Sequence, residues 1–262
     1  MIMKKTIRQI GAALSLYSKI PMPYYEWTDK DIACAIMYLP LVGVVIAALE
    51  YYVNHILSAL NIAVSVRSVI FILIPLLVTG GFHVDGYMDT ADAIRSYQPK
   101  EKKLQIIDDP HIGAFSVISL VCSLLIMYSS VYIILDRGGC EATLGCCVLF
   151  VVSRALAGLT SVCQKVAKDD DMLAGEMQNN NTVIYVMLYL WLFASLVFVL
   201  LTDIPNSLVM AASGVAFTIY YLRMTGKHFG GVLGDTAGYF VTAGEVFMIL
   251  CMAVLTLIRG AI

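Results

Sequence analysis

Long apolar runs separated by short polar segments dominate this chain. Runs of about 18 or more apolar residues read as membrane-spanning helices, and they fall at 32–58, 65–83, 112–135, 142–163, 182–202, 205–222 and 236–258. Only a tight turn at Asp203-Ile204-Pro205 divides the fifth from the sixth. Residues 1–23 set Lys4, Lys5, Arg8 and Lys19 among apolar positions and end at Pro21-Met22-Pro23, the pattern of an amphipathic helix lying in a membrane interface. No run of alternating ten-residue strands suggests a barrel. The pattern therefore predicts an all-α fold, a polytopic membrane helical bundle of about seven spans plus an N-terminal interfacial helix. It forms a single integral membrane domain over 1–262, with no internal repeat.

Composition agrees. The chain is 60% apolar and 14% charged, against about 25% charged in soluble domains. Its seven cysteines lie mostly within apolar runs and form no CxxC pair, so they read as small packing residues and not as a disulfide or zinc framework. The basic N-terminal stretch lacks the small-residue cleavage site of a secretory signal. With the N-terminus in the cytoplasm, the inner segments 1–31, 84–111, 164–181 and 223–235 hold thirteen Lys and Arg, and the outer ones only Arg67, Arg137 and Arg259. That bias orients the bundle. It puts nearly every group capable of chemistry on the cytoplasmic side, including Asp108, Glu176 and the runs Asp169-Asp170-Asp171 and Asn179-Asn180-Asn181.

The stretch GGFHVDGYMDTADA, residues 80–93, carries the strongest chemical signal. If the second span continues as a helix past Gly86, Asp89 lies about 40° round the axis from Asp85, and Asp92 about 20° to the other side. Three carboxylates on one face repel one another, and near a bilayer unpaired charge costs more. Oxygen-only ligands favour a hard cation such as Mg²⁺ or Mn²⁺. Gly80, Gly81 and Gly86 allow a phosphate or a neighbouring backbone to come close. The competing reading is a solvated acidic helix face beyond the membrane.

Other polar residues carry paired readings. His83 and His111 are each a ligand, a base or a hydrogen-bonded packing residue. Asp109, before Pro110, and Asp235, before the last span, are either functional or helix N-caps. Glu245 lies deep in an apolar span and is a functional candidate on that ground. Arg154, also inside a span, either pairs with a carboxylate or grips a phosphate.

Together these stretches resemble the cobalamin synthases, the adenosylcobinamide-GDP ribazoletransferase family. GGFHVDGYMDTADA is similar to its first signature. YSKIPMP and LPLVG match its N-terminal region, DDPHIG its aspartate-to-glycine element, and GGVLGDTAGYFVTAGE its C-terminal glycine-aspartate-glutamate element. Ser153-Arg154 also stands where the family has a serine-arginine pair. The order and spacing cover almost the whole chain. The chain departs from the pattern at Ala93 (usually glycine), Asp108 (often basic), Leu233 (usually threonine) and Thr242 (often glutamate).

The resemblance implies a Mg²⁺-dependent phosphoryl transfer in nucleotide-loop assembly, with Mn²⁺ the other cation that fits. A ribose hydroxyl of α-ribazole, or of its 5′-phosphate, attacks adenosylcobinamide-GDP and GMP leaves. Asp85, Asp89, Asp92 and Asp235 are then the expected metal ligands. Asp92, His83 and Asp109 are the expected catalytic groups, and Arg95, Lys102, Arg154 and Gly86 the substrate-binding ones. The expected location is a prokaryotic inner membrane, multi-pass, with the site facing the cytoplasm and the lipid bilayer as surroundings. No nucleic-acid partner is expected; a homo-oligomer is compatible with the sequence. Two alternatives compete. A CDP-alcohol phosphotransferase would carry an alanine-arginine pair and trailing aspartates that this chain lacks. A cation-coupled transporter would place its charges near the midplane and show repeats.

Overall fold

The computed structural model describes residues 2–23, 26–168 and 182–261. Asp169-Asp170-Asp171, Glu176 and Asn179-Asn180-Asn181 lie outside the described residues. The described residues are almost entirely helical: α1 (Ile2–Tyr17), α2 (Asp29–Ala35), a 3₁₀ turn (Ile36–Tyr38), α3 (Leu39–Ala59), α4 (Val64–Thr79), α5 (Phe82–Arg95), α6 (Lys100–Ile107), α7 (Ala114–Arg137), α8 (Gly139–Cys163), α9 (Thr182–Thr202), α10 (Ile204–His228) and α11 (Gly234–Ala261). Among the described residues, six helical stretches are long and apolar enough to cross a membrane: α2 with α3, α7, α8, α9, α10 and α11. The pair α4 and α5, bent by 96°, makes a seventh if taken as one span. This is a multi-pass membrane protein.

The most enclosed helix is α8, with 78% of its most apolar stretch buried, whereas α9 has 22% and faces outward. Gly43 lets α3 lie directly on the backbone of α8 at Phe150. The small residues that hydropathy scores as neutral thus decide which helices touch. α11 packs against α5, α7, α8 and α10.

The N-terminal helix is built into the bundle. Ala12 and Ala13 of α1 are fully buried, and Arg8 pairs with Asp31 of α2 at 2.6 Å. Asp31 also closes a capping box with Thr28, which starts α2. At the opposite end of the bundle, Asp203 caps α10 through the Asn206 N–H and receives Arg259 of α11 at 2.7 Å. Burial opposes ionisation of Asp203, but hydrogen bonds from Arg259 and Asn206 outweigh it and hold its carboxyl below the usual range.

One local expectation fails. The second span does not run on as a straight helix past Gly86. Gly80 and Gly81 both adopt left-handed backbone, at φ 67° and 82°, which only glycine takes without strain. α4 ends there, and α5 starts anew across the bundle.

Candidate functional site

α5 is held in place by its two flanking helices. A Cβ on Gly86 would lie 2.7 Å from the carbonyl oxygen of Asp235 and 2.8 Å from its Cα. A Cβ on Gly238 would lie 2.9 Å from the carbonyl oxygen of His83. The two glycines thus let α5 and the start of α11 cross backbone to backbone. Tyr87 stacks on Tyr239 with ring centroids 5.4 Å apart. Its hydroxyl donates to the Ser119 carbonyl of α7 at 3.1 Å and lies 2.7 Å from the Ser123 hydroxyl.

This crossing brings Asp235, in the first turn of α11, to the acidic face of α5. Asp89 lies within electrostatic range of Asp85, Asp235 and Asp92. Asp85 is exposed, while Asp89, Asp92 and Asp235 are half-buried. Asp92 sets its carboxylate over Gly113, the N-cap residue of α7. There the positive end of the helix dipole favours a negative group, and any larger residue than glycine would collide with it. Beside Asp85 a groove of ≈ 550 Å³ opens, lined also by Lys19, Gly80, Gly81 and Met88.

The donor set suits a hard divalent cation: aspartates only, with no sulfur or imidazole among the four. Among the described residues, no group of three or more His, Cys, Asp or Glu side chains is placed to hold a metal ion. Mg²⁺ does not require one, since it usually takes one or two carboxylates and completes its shell with water and substrate phosphate. The residues therefore fit an open site of that kind.

The remaining expected residues are scattered around this cluster. Asp109 does not cap α7, because Gly113 is the N-cap residue. Its carboxylate instead accepts from the His111 N–H at 3.0 Å and lies 2.6 Å from His111 Nδ1. The His111 side chain and backbone hold the Asp109 carboxyl below the usual range. Arg95 is exposed and close enough to Tyr87 and Tyr239 to act on them electrostatically. Lys102 is exposed and donates to Gln105 at 3.2 Å.

Arg154 is 1% exposed and ion-paired with Glu245 at 2.6 Å; Ser153 donates to the same oxygen at 2.7 Å. Of its two readings, the carboxylate partner is the one seen. His83 is buried nearby, and its Nδ1 has no hydrogen-bond partner among the described residues. Both line a cavity of ≈ 40 Å³ with Thr79, Ser123 and Thr242, room for a water or two.

Sequence reasoning missed two features. Glu50 of α3, 1% exposed, lies within electrostatic range of Glu245. Its position inside an apolar span was the available signal. Lys103, adjacent to the expected Lys102, is the buried lysine of α6 and lies 2.6 Å from His228 Nδ1.

Long apolar helices, one pair of them broken, define a polytopic membrane protein that gathers four aspartates on α5 and the start of α11. The model of the cobalamin-5-phosphate synthase family matches residues 9–253. The chain belongs to that family. It is 33% identical to the adenosylcobinamide-GDP ribazoletransferase of Lachnoclostridium phytofermentans over 95% of both chains. It is 30% identical to the protein of that name from Clostridium perfringens strain 13, over 97% of this chain and 100% of the relative. Its identity to the one from Geobacillus kaustophilus is 28%, over 90% and 91%. No solved structure matches the chain.

Proposed function

We propose that the protein is an adenosylcobinamide-GDP ribazoletransferase of the prokaryotic cell membrane, with its site facing the cytoplasm. The observation that carries this reading is the gathering of Asp85, Asp89 and Asp92 on α5 with Asp235 of α11 at one end of the bundle. Family membership and the names of the relatives support the substrates. The excess of Lys and Arg on the same side supports the orientation.

In this reaction a ribose hydroxyl of α-ribazole, or of its 5′-phosphate, attacks the phosphorus nearer the cobinamide. The bond from that phosphorus to the bridging oxygen breaks, and GMP leaves with the electron pair. Phosphoryl transfer needs positioning and charge neutralisation more than covalent help. Asp85 and Asp89, with Asp235 beside them, would hold Mg²⁺, which supplies Lewis-acid neutralisation of phosphate charge when bound. We assign the hydroxyl proton to Asp92, which sits within the cluster at the start of α7. Gly86 keeps α5 and α11 close enough for Asp235 to join Asp89. The groove beside Asp85 gives a substrate access between α1 and α5.

The test is direct. Purified protein with adenosylcobinamide-GDP, α-ribazole and Mg²⁺ releases GMP, and Asp89→Asn abolishes the release. Undiminished GMP release from that variant would remove the aspartate cluster from the mechanism. One observation favours a second reading, because the break between α4 and α5 resembles the discontinuous helices of ion-coupled transporters. Cation flux in proteoliposomes without GMP release would establish that reading instead.

A further inference from the structure

In the chain segments that flank the acidic cluster, α6 and the end of α10 bring together a group of basic residues. Lys103 of α6 is 7% exposed, and its Nζ lies 2.6 Å from His228 Nδ1 at the end of α10. Lys227 is within electrostatic range of both. The Lys100 ammonium lies directly over Gly230, whose left-handed backbone (φ 81°) leaves room for no side chain. Among the described residues Lys103 has no carboxylate partner, and the nearby Asp108 is taken by Lys168. Burial, and then the charge of Lys227, hold the Lys103 ammonium below its ordinary range.

Cations crowded together without a counter-charge are unfavourable, and a buried one more so. The chain maintains this arrangement around a tight glycine turn. That turn is braced by the Val166–Val232 bridge and by close packing of Gly231 on the Lys165 carbonyl. Four residues lie between Gly230 and Asp235, and four between Arg95 and Lys100. The basic group is thus tethered at both ends to the acidic one. A dianionic phosphate would match this charge, and lysine and imidazole N–H groups are suited to donate to it.

We propose that Lys103, Lys100, Lys227 and His228 form a phosphate subsite that holds the phosphate of the leaving GMP while the aspartate cluster serves the phosphorus under attack. This rests on the transferase reading for the identity of the nucleotide, but the subsite is tested without turnover. A charge-assisted contact to phosphate is worth about 10- to 100-fold in affinity.

The experiment measures equilibrium binding of GMP and of inorganic pyrophosphate to the purified full-length protein in neutral detergent. Binding to the wild type should weaken about 10- to 100-fold in Lys103→Met and in the exposed Lys227→Met. Lys103→Arg should retain most of it, and Lys5→Met, a matched charge loss on α1, should retain all. Melting temperatures identify any variant that fails to fold, and Lys227→Met then carries the test.

Unchanged GMP affinity in folded Lys103→Met and Lys227→Met would overturn the proposal. So would anion binding that appears only after Asp169, Asp170 and Asp171 are changed to Asn, because the chain would then supply its own counter-charge. A parallel arm compares nanodiscs of phosphatidylglycerol with nanodiscs of phosphatidylcholine. Lys103-dependent binding seen for the anionic lipid alone would make the ligand a headgroup and overturn the nucleotide assignment. Lys103-dependent GMP binding in a protein that releases no GMP from adenosylcobinamide-GDP would leave the subsite standing and remove the transferase reading.

Discussion

Replacing Gly86 by alanine adds one methyl where α5 and α11 cross backbone to backbone. Its Cβ would meet the Asp235 carbonyl oxygen at 2.7 Å and the Asp235 Cα at 2.8 Å. Both are backbone atoms, so no side chain can swing away. Restoring ordinary van der Waals separation requires α5 and α11 to part by roughly 0.7 Å. Overpacking of this kind costs about 1–3 kcal/mol, offset by about 1 kcal/mol of helix propensity gained over glycine. The net loss of stability is therefore small, about 0–2 kcal/mol. The effect on chemistry is larger, because the same movement carries Asp235 away from Asp89. Displacement on the ångström scale costs about 10²-fold in rate. GMP release should thus fall by about two orders of magnitude while the melting temperature moves only a few degrees. Gly226→Ala is the matched control. No neighbouring atom lies within 4 Å of its added Cβ, so it should keep full activity and gain up to about 1 kcal/mol. Wild-type turnover and melting in Gly86→Ala would refute the close crossing as the device that assembles the cluster.

Two further changes probe the scaffold. Glu245→Ala leaves Arg154 as a buried, uncompensated cation and should destabilise by about 3–5 kcal/mol; the double variant with Arg154→Met should recover most of that, as read by unfolding in detergent. A Glu245→Ala protein that melts like the wild type would show the pair to be dispensable. Arg259→Ala should cost about 1–2 kcal/mol at neutral pH, since the arginine is half-exposed and its screened partner Asp203 is not. Asp203 titrates below its unfolded value of about 3.9, so its stabilisation is complete above that pH and is lost as pH falls through the lower folded value. The gap between wild type and Arg259→Ala should accordingly stay constant from pH 7 to about 4 and close below it; a gap unchanged at lower pH would exclude Asp203 as the partner.

Hydropathy was enough to place the spans, because a lipid-facing helix must be apolar over its whole length. It could not show the break at Gly80-Gly81, since the apolar run passes through those residues without interruption and only backbone torsion distinguishes them. The helical spacing of Asp85, Asp89 and Asp92 was legible, as one-face periodicity survives any bend upstream. That Asp235 joins them depends on a helix crossing between residues about 150 positions apart, which no local pattern encodes. Lys102 and Lys103 illustrate a similar limit: adjacent positions on a helix as short as α6 point to different surroundings, and only packing against His228 selects Lys103 as the buried one. For Arg154, an ionisable group inside a span signalled that a partner existed, but its identity lay 91 residues further along the chain.

That pairing has a consequence for how the protein is made. Helix α8 must enter the bilayer with Arg154, and α11 with Glu245, each carrying an insertion penalty of about 2.5–3.5 kcal/mol near the centre. During synthesis α8 emerges well before α11, so the arginine waits without its partner while the intervening helices are threaded. Until the last helix arrives, α8 has reason to remain near the translocation machinery or to sit shallow, and completion of the C-terminal helix is the event that locks it at depth. A nascent chain truncated before Gly234 would display a permanent intramembrane cation, the kind of signal by which membrane quality control recognises an unassembled protein.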